Sequence, residues 1–168
     1  MIKNNRKIII IPARLAARRL PGKPLAEIGG KPMIQLVWER AIAADIAPVY
    51  VATDDRDIAN VITSLGGKAV MTRTDHPSGS DRIFEAVETI DPDKNISQIL
   101  NLQGDLPDLS PDIPQLLGII LDQGDTDLAS LVTPASQEEA SLSQVVKAVV
   151  SWQDETFGKA IYFSRAAV

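Results

Sequence analysis

Two hydrophobic periods alternate along the chain. Residues 8–11 are isoleucine at every position and follow a polar start. A short, β-branched, uninterrupted apolar run of this kind reads as a strand buried on both faces. Pro12 is expected to stop it, because proline cannot donate to a central ladder. Further strands are predicted over residues 48–53, 69–71 and 96–102. Between them the apolar period changes to that of a helix. Lys31-Pro32 opens one helix, with Met33, Leu36, Val37, Ala41 and Ile42 as its core face. Residues 55–65 form a second, with Ile58, Val61, Ile62 and Leu65 inward and Gly66-Gly67 closing it. Residues 81–90 form a third around Ile83, Phe84 and Val87, and Pro111 opens a fourth that runs to about residue 121. Residues 128–132, 145–150 and 160–163 read as later strands, and Trp38 and Trp152 as packing residues. Alternating strands and helices imply an α/β fold with mostly parallel strands and helices on both faces. No linker, repeat or low-complexity tract marks a domain boundary.

Composition narrows the function classes. A chain of 168 residues suits one domain with a self-sufficient core. The net charge of −5 argues against nucleic acid as partner, since binding a phosphate backbone needs a basic face. There are no cysteines, which excludes disulfides and zinc-thiolate sites and fits a reducing, cytoplasmic setting. No apolar run approaches the roughly 20 residues of a membrane span. The four-residue apolar run after MIKNNRK is too short for a signal peptide.

Against that acidic background, the cations just after the first strand stand out. Arg14, Arg18, Arg19 and Lys23 fall within ten residues, in PARLAARRLPGKP. A loop of fixed cations beyond the carboxyl end of a buried strand is where an open α/β sheet builds an anion site. Arg grips two oxygens at once and Lys acts as a movable point charge, so a polyphosphate is the ligand inferred. A solvated basic loop is the simpler alternative. Neither a Walker loop nor GxGxxG follows the strand, which disfavours a dinucleotide enzyme. Asp105, in NLQGDLP, lies where a strand ends and suits Mg²⁺, or else caps a turn. In DHPSGSDR, Ser78, Ser80 and Arg82 could meet a ligand, while Ser80 or Asp81 could simply cap the helix. His76, the one histidine, reads as a loop or structural residue. Arg165, in YFSR, suits a carboxylate grip or is a surface arginine.

Together and in this order, IIIIPARLAARRLPGKPL, GKPMIQLVWERA, VATDD, HPSGSDR, NLQGD, VVKAVV and YFSR resemble the 3-deoxy-manno-octulosonate (KDO) cytidylyltransferases. The likeness covers essentially the whole chain, and HPSGSDR is its most specific part. It implies a three-layer α/β/α nucleotidyltransferase fold with a mostly parallel, mixed sheet. It also implies transfer of CMP from CTP to the anomeric hydroxyl of KDO, an acidic eight-carbon sugar, with release of pyrophosphate, for lipopolysaccharide synthesis. Carried over by position, Arg14, Lys23 and Asp105 would be catalytic. Pro12, Ala13, Arg14, Arg19, Lys23, Ser80, Arg82 and Gln103 would hold the nucleotide, Asp105 the Mg²⁺, and Arg165 the sugar. The resemblance also implies a homodimer, as in full-length relatives. A cytidylyltransferase for a sialic-acid-type sugar, or a non-catalytic CTP-binding domain, are the alternatives. The chain departs from the pattern at Ala17-Arg18, where Ser-Thr is usual, and at Leu106, where an acidic residue is usual. Family members also run on past the position of Val168. Residues 1–168 are therefore expected to be a nucleotidyltransferase domain lacking the family's C-terminal part, with weak nucleotide binding and slow turnover.

Overall fold

The computed structural model describes residues 6–15, 22–123 and 126–168. They fall into two compact units, Met1–Ala129 and Ser130–Val168, where the sequence pattern placed no boundary.

In the first unit, β1 (Lys7–Ala13) leads through a short 3-10 turn (Lys23–Leu25) to the two-residue strands β2 (Glu27–Ile28) and β3 (Lys31–Pro32). Helix α1 (Met33–Ala43), β4 (Val49–Thr53), α2 (Arg56–Ser64), β5 (Lys68–Met71), α3 (Gly79–Ile90), β6 (Gln98–Asn101) and α4 (Asp112–Asp122) follow. The main sheet has the order β5-β4-β1-β6, and its three pairings are all parallel. The chain walks outward from β1 to β5, then crosses back to place β6 on the other side of β1. That reversal creates a crevice between the carboxyl ends of β1 and β6, the usual ligand position in such sheets.

The isoleucine run serves both faces of the sheet. Ile9 and Ile11 pack with Ile34, Val37 and Ala41 of α1 and Ile58 and Ile62 of α2. Ile8 and Ile10 pack with Ile83 and Ala86 of α3. Ile9, Ile10 and Ile11 are fully buried, each contributing about 1.5–3 kcal/mol. The three-layer arrangement expected from the alternation is therefore present in this unit.

Pro12 does not stop β1. It stays in the strand, in register with Ala52 of β4. Ile9 donates to the Pro48 carbonyl and Ile10 accepts from the Leu102 amide, so residues 8, 10 and 12 present their peptide groups toward β6. The β1–β6 register ends at Ile10 opposite Asn101. The missing N–H of Pro12 thus falls beyond the last ladder pair and breaks nothing.

The helices differ from the pattern in phase. Pro32 belongs to β3 and is the N-cap of α1, not its first residue. On α1 the buried positions are Met33, Ile34, Val37 and Ala41, while Ile42 is exposed. On α2, Leu65 is the exposed C-cap, and Gly66 (φ 79°) takes the left-handed conformation that ends the helix. On α3, Arg82, Ile83 and Ala86 face inward and Phe84 outward. Residues 128–132 form no strand, and Leu128 is exposed.

The second unit holds α5 (Gln137–Ser141), β7 (Lys147–Trp152) and β8 (Gly158–Ser164). Helix α5 starts at a capping box in which Ser136 and Glu139 satisfy each other's backbone amides. The two strands form an antiparallel hairpin with a register shift at Val149/Val150. The buried Lys147 ammonium donates to the carbonyls of Leu142 (2.9 Å), Val145 (2.9 Å) and Arg165 (2.7 Å). Trp152 is exposed rather than packed.

Candidate functional site

A cleft of about 260 Å³ opens at the carboxyl ends of β1 and β6. Pro12, Ala13 and Arg14 reach it from the end of β1, and Gln103, Gly104 and Asp105 from the end of β6. The two strand ends meet closely: a Cβ on Gly104 would stand 2.8 Å from the Pro12 carbonyl oxygen. Only glycine lets the backbone after β6 pass there without displacing β1. Lys23 enters from the 3-10 turn, and His76, Ser78, Gly79 and Arg82 form the wall on the α3 side.

An ion pair links the turn to the end of β6. Lys23 Nζ donates to Asp105 Oδ2 at 2.7 Å, and both side chains remain partly exposed. The Arg14 side chain lies in the cleft lining and its residue is exposed. Gln103 Nε2 donates to Asn101 Oδ1 at 2.8 Å. Leu106, next to Asp105, is exposed and lies outside the lining.

The α3 side is built differently. Ser78 is the N-cap of α3: its hydroxyl accepts from the Asp81 amide and donates to the Asp81 carboxylate. The cap therefore lies before both Ser80 and Asp81, the residues that the sequence offered. Ser80 sits in the first turn, exposed and outside the cleft lining. Arg82 lines the cleft, but its guanidinium is engaged inside the protein. Nη2 donates to Asp54 Oδ2 at 2.9 Å and Nη1 donates to the Thr72 hydroxyl. Its side chain is 3% exposed and that of Asp54 is 9% exposed, so each charge depends on the other.

His76, which the sequence reads as a loop or structural residue, also lines the cleft. It is buried, and its Nε2 bonds to the Glu85 carboxylate. The same carboxylate accepts from the Arg73 amide at 3.1 Å. The His76 hydrogen bond is the main cause holding the Glu85 carboxyl below its ordinary value, and the Arg73 amide adds to it against the opposing effect of burial. The signal available in the sequence was the position of a lone histidine inside the loop that also carries Ser78.

The structure thus brings Pro12, Ala13, Arg14, Lys23, Arg82, Gln103 and Asp105 to one cleft. Arg19 lies outside the described residues. Arg165 belongs to the second unit, where its guanidinium donates to the Ser143 carbonyl at 3.3 Å. Among the described residues no cluster of three or more His, Cys, Asp or Glu gathers, and no helix is long and apolar enough to cross a membrane. A metal in this cleft would therefore rely on Asp105 and on oxygens brought by a ligand. Mg²⁺ commonly binds in that way, through one or two carboxylates with phosphates and water.

Residues 8–168 match the family described as Cytidylyltransferase. The chain is 48% identical over 163 residues to a 3-deoxy-manno-octulosonate cytidylyltransferase from Paramagnetospirillum magneticum, covering 96% of this chain and 66% of that protein. It is 51% identical over 161 residues to the enzyme of the same name from Rhodopseudomonas palustris strain BisB18, covering 95% of this chain and 65% of the relative. The chain therefore spans just under two-thirds of the length of these relatives. The fold is similar to that of a CMP:2-keto-3-deoxy-manno-octonic acid synthetase complexed with CTP, with a TM-score of 0.86 and 42% identity over 98% of this chain and 66% of that one. A cytidylyltransferase from Leptospira borgpetersenii shares the fold at a TM-score of 0.60 and 23% identity, covering 74% of this chain and 51% of that one.

Proposed function

The chain belongs to the cytidylyltransferase family, and we propose that its β1–β6 cleft binds CTP for transfer of CMP to KDO. The observation that carries this reading is the convergence of Arg14, Lys23 and Asp105 at the sheet's topological switch point. The name of the 42% identical CTP complex supplies the nucleotide, and the names of the relatives supply the sugar.

In this reading the anomeric hydroxyl of KDO attacks the α-phosphorus of CTP and pyrophosphate leaves. Such a reaction needs in-line positioning and neutralised charge more than covalent help. Arg14 and Lys23 supply the positive charge, with Lys23 exchanging Asp105 for phosphate oxygens as the nucleotide enters. Asp105, released from Lys23, is then free to hold a cation. Mg²⁺ on Asp105 and the phosphates would neutralise charge that builds on the leaving pyrophosphate. Gln103 and the loop carrying Ser78 bound the space left for the nucleoside. Arg82, locked to Asp54, shapes that wall rather than offering a free charge. Arg165 on the sugar, a homodimeric assembly and a cytoplasmic role in lipopolysaccharide precursor synthesis belong to the same proposal.

The test is to incubate the purified chain with CTP, Mg²⁺ and either KDO or sialic acid, and to follow the sugar nucleotide by mass spectrometry. Formation of CMP-KDO alone is the expected outcome. Preference for the nine-carbon sugar would replace KDO in this reading.

A further inference from the structure

The cleft has two chemically distinct ends. The Lys23–Asp105 pair makes one end ionic, and Arg14 adds a further cation to the lining. At the other, Ser78 and Gly79 present a cap hydroxyl and backbone, and Arg82 is neutralised by Asp54. Between them stands the end of β1: a Cβ on Gly79 would lie 3.4 Å from Pro12 Cγ, as one on Gly104 would lie 2.8 Å from the Pro12 oxygen. A nucleotide whose phosphates occupy the ionic end therefore places its nucleoside against the wall that contains His76.

The imidazole of His76 is prepared for a specific contact. Its Nε2 faces the Glu85 carboxylate. An ionised carboxylate only accepts hydrogen bonds, so Nε2 must carry the proton. In the neutral ring this leaves Nδ1 as an acceptor. Among the described residues no group bonds Nδ1, and the atom is not one of the buried side-chain atoms without partners, which are Trp38 Nε1 and Gln98 Oε1. The residue itself lines the cleft, and Nδ1 is the ring nitrogen left for a ligand there. Glu85 is itself anchored through the Arg73 amide, so the ring is held from the far side at the base of the loop.

We propose that His76 is a nucleoside-reading residue whose Nδ1 accepts a hydrogen bond from a donor on the bound nucleoside, with Glu85 as the positioning residue that fixes its tautomer. The shared chemistry is an N–H or O–H donor, which cytidine offers at its exocyclic amino group and at its ribose hydroxyls. The proposal rests on the CTP-binding reading above and adds a contact that the phosphate-binding residues do not make.

The chain has one histidine, so its imidazole nitrogens can be followed without assignment ambiguity. The experiment is a long-range proton–nitrogen NMR titration of the ¹⁵N-labelled chain with CTP, UTP, 2′-deoxy-CTP and 3′-deoxy-CTP. Calorimetry of wild type, His76→Phe and Glu85→Gln with CTP and with inorganic triphosphate accompanies it. In the neutral ring Nδ1 is expected to be the unprotonated nitrogen and to shift on saturation with CTP. Loss of the shift with UTP assigns the base amino group, and loss with a deoxy analogue assigns the ribose. His76→Phe is expected to weaken CTP about three- to tenfold, the worth of one neutral hydrogen bond, and to leave triphosphate affinity unchanged. Glu85→Gln, in which an amide no longer dictates the tautomer, is expected to weaken CTP less and to mix the two nitrogen signatures. A His76 spectrum indifferent to saturating CTP, or equal losses for CTP and triphosphate in His76→Phe, would overturn the proposal alone. Failure of the wild type to bind either ligand would overturn the CTP reading and this proposal with it.

Discussion

Replacing Asp54 with alanine should reveal how far the cleft wall depends on one buried charge pair. The substitution leaves the Arg82 guanidinium, on a side chain 3% exposed, with the Thr72 hydroxyl as its remaining hydrogen-bond partner among the described residues. Breaking a buried pair by removing one member costs about 3–5 kcal/mol, because the other charge stays desolvated without compensation. Domains of this kind are stable by only about 5–15 kcal/mol, so the loss should be plain. With a urea dependence of about 2 kcal/mol per molar, the unfolding midpoint should fall by roughly 1.5–2.5 M. Urea titration followed by far-UV circular dichroism, with fluorescence from the half-buried Trp38 as second probe, measures this. The double variant Asp54→Leu with Arg82→Met should be less destabilised than Asp54→Ala alone, since no charge is left stranded. A loss below about 1 kcal/mol for Asp54→Ala, the range of exposed ion pairs, would refute the reasoning. So would a double variant less stable than the sum of its parts.

Three further outcomes are expected. Gly104→Ala should cost about 1–3 kcal/mol and weaken CTP binding, because its Cβ would press to 2.8 Å on a backbone oxygen of β1; unchanged melting would contradict the close approach. Lys147→Met should cost roughly 2–4 kcal/mol in the second unit by stranding three carbonyls, and hydrogen exchange across β8 should accelerate; unaltered protection there would show that the ammonium is not needed. Acid should destabilise the fold through Glu85, whose folded pKa lies below its ordinary 4.5. Between the two values the unfolded chain holds more protons, so the contribution is complete above about 4.5 and is lost as pH falls through the folded value. Glu85→Gln should flatten that part of a stability–pH curve, and an unchanged slope would count against the pairing.

Much of this fold is local and therefore legible in the sequence. The run of residues 8–11 could only be a strand covered on both sides, and its alternation between α1 and α3 follows from a period of two. Pro12 misled because its effect depends on where β6 stops pairing, a fact of register that no single segment contains. Ile42 and Phe84 are apolar yet point outward, since helical phase was set by Ile34 and Ile83 against the sheet. Residues 128–132 have the composition of a strand, but pairing needs a neighbour, and composition does not supply one. The capping box at Ser136 and Glu139 is a purely local signal, carried by SQEE. In the cleft, Arg14, Lys23 and Asp105 were legible because strand ends and their following loops are contiguous. The Arg82–Asp54 pair spans 28 positions and His76–Glu85 spans 9, with no periodic signal linking either. Neither pairing could therefore be read from the sequence.

The decisive measurement is calorimetric titration of CTP with Mg²⁺ into the wild-type chain and into Arg14→Ala and Lys23→Ala. Arg14 is exposed and Lys23 partly so, so neither substitution should shift stability by more than about 0.5 kcal/mol. Each should weaken CTP at least tenfold, as expected for a lost hydrogen bond from a charged donor to phosphate. CTP binding equally well to all three proteins would contradict the assignment of the cleft's cations to the nucleotide's phosphates.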